Sequence, residues 1–571
     1  MDGRPAALRQ FPILTRHFFH RLFRNDMIDF EDQMKEKLIV TLTLLAVFFS
    51  WAAWLMLFKY HFVPDFNRSW QEKNYLFTLM MLVFAMATLL EWDVLFPDRR
   101  DFLNLMSLPV RLRTLFAAKL ASFVIFIGMF SVAVMGVPAV LFAFYLAEWR
   151  VNSVAFTARY ALAHLVSGFA AAAAVFFGLL FLQFLLMAAL PGPLYRRMAT
   201  AIRFALAAGL VFLLLSFIAA PSILGGWFRD LEALKARGDP ALSWYPPLWF
   251  VGLYETLLGT TDPFFAAGAW KAVVTLVLAP LGFAGAAAVS YARNVRRTLE
   301  APPAGPALVR GRAAFRRILG SSLLRTPEER AVYGFFLETL RSSPRHRMAL
   351  VYDVAAGAAL SLTLVAAQRQ AFRSLTPANG FLLILPLVLS FTIVAGVRAI
   401  VERPAALEAN WIFRLTESSR PGLYASGLKK AVALKFLAPL FAAVFVFHAA
   451  LWDPATAAVH AAFGSIVSLL ALEAVFFRYA KVPFACGWVP GKLRLQFTAI
   501  PCLVGLLLLM MILAAVERSV LADPRRALVF LGAAAAAGLA LRLKNRRFYR
   551  TAALRFDEEP AGGLIQLPSG D

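Results

Sequence analysis

The sequence is poor in charged residues and in cysteine, and each shortage narrows what the chain can be. Only 16% of its 571 residues are charged, whereas 60% are hydrophobic and the mean hydropathy is +0.67. An ordinary soluble domain has about 25% charged and about 45–50% apolar residues. Two cysteines, Cys486 and Cys502, are too few for a disulfide framework or a four-cysteine zinc site. These shortages argue against a soluble or disulfide-stapled protein and indicate a chain that lies in lipid.

The sequence also lacks the motif that binds nucleoside triphosphates. A P-loop has four residues between two glycines, followed by lysine and a hydroxyl residue, because its backbone amides must cradle phosphates. The nearest stretch runs from Gly487 to Lys492 and has one residue too few, with Leu493 in place of the hydroxyl. The histidines are too scattered along the sequence for metal-ligand spacing. We therefore expect no catalytic residue, no bound cofactor and no metal site on this chain.

The chain has a large excess of basic over acidic residues. Its formal net charge is +24, from 58 Lys and Arg against 34 Asp and Glu. On a soluble protein such an excess would suggest nucleic acid, but no recognition motif accompanies it. Membrane proteins collect Lys and Arg in their cytoplasmic loops. The excess is therefore read as a topology signal, and we expect no nucleic-acid partner.

Long apolar runs recur along the whole sequence. The hydrocarbon core of a bilayer needs about 20 mostly apolar residues in one helix. The pattern predicts an all-α fold, a polytopic transmembrane helical bundle of about twelve spans. The candidate spans are 38–57, 75–90, 120–146, 160–190, 204–220, 272–291, 349–367, 381–397, 431–451, 457–477, 497–516 and 527–541.

Basic residues alternate between the loops that these spans would separate. With the N-terminus inside, the inner segments hold 43 Lys and Arg and the outer loops hold 13. Because Lys and Arg concentrate on the cytoplasmic side, the asymmetry predicts that both termini are cytoplasmic. We expect a multi-pass protein of a bacterial inner, or plasma, membrane.

The predicted spans fall into two halves of six. A Pro-rich, basic stretch separates them, and its composition is that of a linker. Each half opens with an amphipathic helix, which Phe11, Leu14 and Phe18 indicate in the first half and Val332 and Phe336 in the second. The predicted domains are an amphipathic connecting helix (1–37), the first six-span half (38–291), a basic cytoplasmic linker with a helix (292–348), the second half (349–543) and a cytoplasmic tail (544–571).

A long loop follows the second span of each half, at 91–119 and at 398–430. Residues 96–109 of the first loop read FPDRRDFLNLMSLP and are followed by LFAAK at 115–119. This stretch resembles the loop after the second span in permeases of ABC-2-type exporters. The resemblance implies a coupling helix that docks on a separate cytoplasmic P-loop ATPase. It also implies that the loop at 221–269 is an extracytoplasmic helical segment.

The resemblance implies the following functional residues. The ATPase-docking loop contributes Asp98, Arg99, Arg100, Asp101, Leu108, Pro109, Arg111, Arg113 and Lys119. The second-half loop contributes Glu408, Arg414, Glu417 and Lys429, although Leu415-Thr416-Glu417 stands where a Leu-Pro pair is expected. Ionisable or amide side chains inside predicted spans are further candidates, because their burial in lipid is costly. These are Asp353, Glu473 and Gln183.

The resemblance implies a permease subunit of an ATP-driven exporter, with ATP held by the partner and no enzyme activity of its own. Two ATPase copies on one chain are the preferred assembly, and a dimer of chains is the other. An ion-coupled carrier would need acids near mid-membrane, and a membrane glycosyl or lipid transferase would need acids in the first outer loop, where only Asp65 and Glu72 stand. Both remain open as alternatives. The sequence leaves the substrate unidentified.

Overall fold

The structure is a computed structural model that describes most of the chain. The described residues are 6–23, 31–58, 69–90, 92, 110–151, 153–218, 231–300, 323–367, 376, 379–405, 413, 415, 420–485 and 495–554. Within them, 12 helices are long and apolar enough to cross a membrane. The prediction of an all-α polytopic bundle is therefore confirmed.

The chain divides into two compact units, Met1–Ala301 and Pro302–Asp571. Each unit holds six of the 12 membrane-crossing helices. The helices of the first unit are α1 (Ala6–Phe23), α2 (Glu31–Phe58), α3 (Ser69–Leu90), α4 (Leu112–Arg150), α5 (Val154–Ala189), α6 (Gly192–Ile218), α7 (Leu231–Ala236), α8 (Pro240–Ser243), α9 (Pro246–Leu257) and α10 (Pro263–Glu300).

The described residues of the second unit form eight helices and one π-helical turn. The helices are α11 (Pro327–Ser342), α12 (Pro344–Ala367), α13 (Gly380–Val401), α14 (Pro421–Val432), α15 (Ala438–Leu451), α16 (Pro454–Val475), α17 (Leu495–Ala522) and α18 (Pro524–Thr551). A π-helical turn, Ala433–Leu437, joins α14 to α15, so these form one crossing. In each unit we call the end where the third crossing begins (Leu112 or Pro421) the base, and the opposite end the top.

The predicted spans match the observed crossings in order, but several of their ends were wrong. Helix α3 begins at Ser69, six residues before the predicted start, because Lys73 and Asn74 are polar yet buried inside the protein. Helices α10 and α18 continue to Glu300 and Thr551, beyond the predicted span ends at 291 and 541. Their added turns are basic, and Arg and Lys are good helix formers outside lipid.

Asp-Pro pairs set the start of several helices. An aspartate oxygen accepts the otherwise free backbone N–H groups of the first turn, and proline suits the first helical position. Asp262 accepts from the N–H of Phe264 at 2.9 Å before α10. Asp523 accepts from the N–H of Arg525 at 2.9 Å before α18. The sixth crossing of each unit therefore starts from the same local device.

The first unit has one large apolar core. Its buried residues come from α2 to α5 and from α7 to α10. Helices α9 and α10 cross closely at Gly252 and Gly268, since a Cβ atom at Gly252 would lie 2.6 Å from the carbonyl oxygen of Phe265. The short helices at the top are therefore packed into the bundle.

The described residues of the second unit form two separate main cores. One lies toward the base and includes Phe336 of α11, Val397 of α13 and Leu428 of α14. The other lies between α13 and α17 and includes Leu387 and Met510. A single residue, Asp523, separates α17 from α18, where the first unit has room for α7 to α9.

Candidate functional site

The predicted docking residues are divided between described and undescribed parts of the chain. Outside the described residues lie Asp98, Arg99, Arg100, Asp101, Leu108, Pro109, Glu408, Arg414 and Glu417. Arg111, Arg113, Lys119 and Lys429 are described, and they lie at the base of the two units. The docking residues that the structure describes therefore all lie at the bases.

At the base of the first unit, α1 packs on the first turns of α4. Leu14 and Phe18 of α1 are buried against Leu115 and Ala118 of α4. The ammonium of Lys119 lies 4.8 Å from the ring centroid of Phe18, a distance at which a cation is attracted to an aromatic face. A helix forms where the Phe and Leu stripe predicts one, and Leu14 and Phe18 of that stripe contact α4, whereas Phe11 is exposed.

The described docking residues of the first loop stand beside this contact. Arg111 is extended and immediately precedes α4, and Arg113 lies in its first turn. Both side chains are exposed, whereas Lys119, two turns later, is buried. Two cations thus face solvent at the base while a third holds α1.

At the base of the second unit, α11 packs on α14 in the same way. Thr326 accepts the N–H of Glu329 and starts α11, as the sequence predicts for a helix near 327. The Glu329 carboxylate accepts from Lys430 and from the hydroxyl of Ser426, both at 2.6 Å. A Cβ atom at Gly427 would lie 2.8 Å from the Glu329 carbonyl oxygen, so the two helices are close at this point.

This contact fixes the charge state of Glu329. Burial raises the pKa of its carboxyl, but hydrogen bonds from Lys430 and Ser426 and the charge of Lys430 outweigh burial, so the pKa lies below its usual value. The predicted docking residue Lys429 points to another partner, Glu473 of α16, at 2.6 Å. Neighbouring lysines therefore join α14 to two different helices.

The two bases share one design. In each, an amphipathic helix crosses the first turns of the third membrane-crossing helix and a lysine of the crossing contacts it. Lys119 ends the stretch LFAAK at 115–119, and Lys430 directly follows the stretch LYASGLK at 423–429. Phe18, Lys119 and Glu329 are buried in these contacts.

The predicted intramembrane residues have ordinary structural partners. Gln183 donates to the carbonyl of Trp92 at 2.7 Å, so it ties α5 to the turn after α3. Glu473 is paired with Lys429. Asp353 is partly buried beside Gly396, where a Cβ atom would lie 2.9 Å from the Asp353 Cβ. These residues do not come together in one site.

Sequence reasoning missed a buried ion pair at the top of the first unit. Lys73 of α3 pairs with Glu255 of α9, and both side chains are fully buried. The Lys73 ammonium also lies 4.4 Å from the ring centroid of Tyr254 and 4.7 Å from that of Tyr160. His164 completes the group, with its Nδ1 3.3 Å from the Tyr254 hydroxyl. We call these five residues the Lys73 cluster.

Further hydrogen bonds attach the short helices of the top to α3. The indole of Trp70 donates to Glu232 of α7 at 3.1 Å, and the hydroxyls of Thr78 and Tyr245 lie 2.6 Å apart. The Lys73–Glu255 ion pair is a third connection and joins α3 to α9. Burial raises the pKa of Tyr245, so its hydroxyl stays protonated and available as a donor.

A second buried acid–base group, also missed, lies at the top of the second unit. His460 of α16 pairs with Glu517 of α17, and the imidazole of His448 of α15 lies beside His460 with 4.5 Å between ring centroids. The sequence carried a signal for the two histidines, since both lie within two turns of the Trp452-Asp453 turn. Hydropathy alone does not predict that Lys73 and Glu517 are buried, because each is polar and lies at the end of an apolar run, where a loop is expected.

In the described part of the chain, no group of three or more His, Cys, Asp or Glu side chains is placed to hold a metal ion. The chain was also compared with known proteins. No family model, no curated protein and no solved structure matches it. The function is therefore inferred from the helices and their contacts.

Proposed function

We propose that this chain is the membrane-spanning permease subunit of an ATP-binding-cassette exporter. It would use a separate cytoplasmic P-loop ATPase to move a substrate across a bacterial inner membrane. The observation that carries the proposal is the repeated base, where α1 crosses α4 and α11 crosses α14. Each base directly follows, along the chain, one of the two loops predicted to dock on an ATPase.

The contacts at the bases suit the transmission of force. Phe18 with Lys119 in one unit, and Glu329 with Lys430 in the other, fasten an amphipathic helix across a membrane-crossing helix. A push on the preceding loop would reach a helix that spans the bilayer, because a close-packed contact transmits strain rather than absorbing it. Arg111 and Arg113, exposed at the start of α4, would meet the ATPase or its nucleotide-bound surface.

The distribution of charged residues indicates which side of the membrane the bases face. The loops and tails on the base side carry most of the Lys and Arg, so we propose that both bases and both termini face the cytoplasm. Two bases on one chain would accept two ATPase copies. A dimer of chains with one productive base each is the other assembly.

An ion-coupled carrier is the second candidate function. The buried pairs Lys73–Glu255 and His460–Glu517 favour it, because ionisable groups inside membrane helices often mark ion pathways. They lie at the tops of their units rather than at mid-helix, which places them where a gate rather than a central ion site would be. A carrier would transport without a P-loop partner.

The test is co-purification of an ATPase with the full chain. The chain would carry an affinity tag, be extracted from its native membranes in mild detergent, and be assayed for bound P-loop protein and for ATP hydrolysis. We expect one ATPase to co-purify. Its amount and activity should fall at least tenfold when residues 101–109 are replaced by a Gly/Ser linker.

A matched control is Trp244→Ser, which changes an exposed residue at the opposite end of the first unit. This variant should retain the ATPase. Recovery of well-folded chain without any ATPase would overturn the permease proposal and favour ion-coupled transport, to be measured next in proteoliposomes. Equal losses in the linker variant and in Trp244→Ser would show that the binding is not located at the base.

A further inference from the structure

Three helices of the second unit bring His448, His460 and Glu517 together. His448 lies three residues before the end of α15, His460 six residues after the start of α16, and Glu517 five residues before the end of α17. At 1.5 Å per residue, all three lie within about 10 Å of the helix ends at the top. All three side chains are buried, at 4%, 1% and 0% exposure. A small ion entering from the top would have a short path to them.

Both imidazoles are held in one orientation. Nδ1 of His460 is hydrogen-bonded to Glu517 Oε1, and the Nδ1–H of His448 donates to the Val444 carbonyl at 2.9 Å. A neutral imidazole that donates through Nδ1 keeps a free lone pair on Nε2. Metal-binding histidines are oriented in this way by a carboxylate or a backbone carbonyl, which also makes the other nitrogen more basic.

The two Nε2 atoms are buried, and within the described residues neither has a hydrogen-bond partner. Two imidazoles on one tetrahedral ion, with nitrogen–metal distances of about 2.1 Å, have ring centroids roughly 5 Å apart. The centroids of His448 and His460 are 4.5 Å apart, with 65° between the ring planes. The separation of the rings suits two ligands on a single ion.

We propose that His448 and His460 bind a divalent transition-metal ion of the Zn²⁺ class through their Nε2 atoms, with Glu517 orienting His460. Imidazole suits such ions, whereas Ca²⁺ and Mg²⁺ prefer oxygen ligands. Two protein ligands leave the remaining coordination positions to water or to donor atoms of a passing molecule. The site is therefore open and exchangeable, and it does not depend on the proposed exporter function.

The first unit provides a matched control. His164 lies in the fourth crossing of its unit, as His460 does, and it too is buried near the top. Its Nδ1 faces the Tyr254 hydroxyl, and its neighbours are Phe77 and Phe142 rather than a second histidine. His164→Gln should therefore leave metal binding unchanged.

The test is Zn²⁺ binding to the purified full chain, produced with a tag that contains no histidine and stripped with a chelator. We expect one Zn²⁺ per chain by elemental analysis and a saturable titration, with no competition from Mg²⁺ or Ca²⁺. His448→Gln and His460→Gln should each weaken binding at least tenfold. Glu517→Gln should weaken it by about 10- to 100-fold, the usual effect of removing an orienting partner.

A measurement on the unaltered chain keeps the proposal falsifiable if the variants fold poorly. X-ray absorption of the Zn²⁺-loaded protein should report two imidazole ligands, with the rest of the shell made of light atoms such as oxygen. Absence of stoichiometric binding, a spectrum without imidazole, or equal binding by the wild type and the His448→Gln/His460→Gln double variant would each overturn the proposal.

Discussion

The two units place the same number of crossings around different interiors. The first unit has one continuous core, and a fully buried Lys73–Glu255 pair ties its short helices to the bundle. The second has two smaller cores and an imidazole–carboxyl pair at the corresponding end. The same number of crossings can therefore surround different buried polar groups at the top. The base, where α1 and α11 cross the third span, is the part that both units keep.

The largest expected effect comes from breaking the Lys73 pair. Lys73→Met leaves the Glu255 carboxylate buried without its cation, which typically costs about 3–5 kcal/mol. Glu517→Gln should cost less, about 1–3 kcal/mol, because an imidazole–carboxyl pair can be neutral. The apparent unfolding temperature of each purified variant in mild detergent checks the ranking.

The double variant Lys73→Met/Glu255→Gln is the control, and it should recover much of the lost stability because no unpaired charge remains. A larger loss in Glu517→Gln than in Lys73→Met would reverse the comparison between the two tops.

A glycine substitution tests the close crossing at the base of the second unit. Gly427→Leu adds a side chain whose Cβ atom alone would lie 2.8 Å from the Glu329 carbonyl oxygen. Overpacking of this kind costs about 1–3 kcal/mol. The control is Ala117→Leu, at an exposed position of α4 at the base of the first unit. It should change the unfolding temperature little. Equal effects of the two changes would mean that α11 is not held against α14.

Acid should loosen one base and not the other. The folded-state pKa of Glu329 lies below its unfolded value, so its contribution is present above the unfolded pKa and is lost as pH falls through the folded one. Between about pH 6 and about pH 3, amide protection in α11 should fall after correction for intrinsic exchange. Protection in α1, held by Phe18 and Lys119, should not follow it. Glu329→Gln should remove this acid dependence. If protection in α11 of this variant still falls with acid, a group other than Glu329 causes the loss.

The smallest expected effect concerns the caps of the sixth crossings. Asp262→Ala and Asp523→Ala each remove an aspartate that accepts a first-turn N–H. Each change should lower the free energy of unfolding by about 1 kcal/mol. Asp262 also pairs with Lys235 at 2.7 Å, a partly exposed pair that adds little. Asp262→Ala should therefore lower the unfolding temperature slightly more than Asp523→Ala. Asp262→Asn, which can still accept the N–H, should fall between the wild type and Asp262→Ala.

Sequence patterns predicted the crossings because an apolar run long enough to span a bilayer is rare in other kinds of structure. They predicted α1 and α11 because Phe18 and Phe336 fall on helical stripes that bury against a neighbour. They failed at the start of α3, where Lys73 is as polar as a loop residue but is solvated by Glu255 and two tyrosine rings. A partner supplied from 182 residues away leaves no local signal.

The candidate site was predictable in part for a similar reason. Lys119 and Lys429 lie at the bases, where the loop pattern placed them, but their partners could not be inferred. Lys119 faces an aromatic ring, and Lys429 faces Glu473. The pairing of His448 with His460 follows from a tight turn that the pattern marked only as a loop.

The proposed docking of an ATPase at each base from the cytoplasmic side can be tested by cross-linking in native membranes. A photoreactive amino acid would replace Arg111 at the first base, Leu415 in the second loop, or Trp244 at the top; all three positions are exposed. If an ATPase docks at each base, Arg111 and Leu415 should each yield an adduct with one P-loop ATPase, identified by mass spectrometry, and Trp244 should yield none. An adduct from Trp244, or no ATPase adduct from either base in well-folded protein, would contradict the proposed docking.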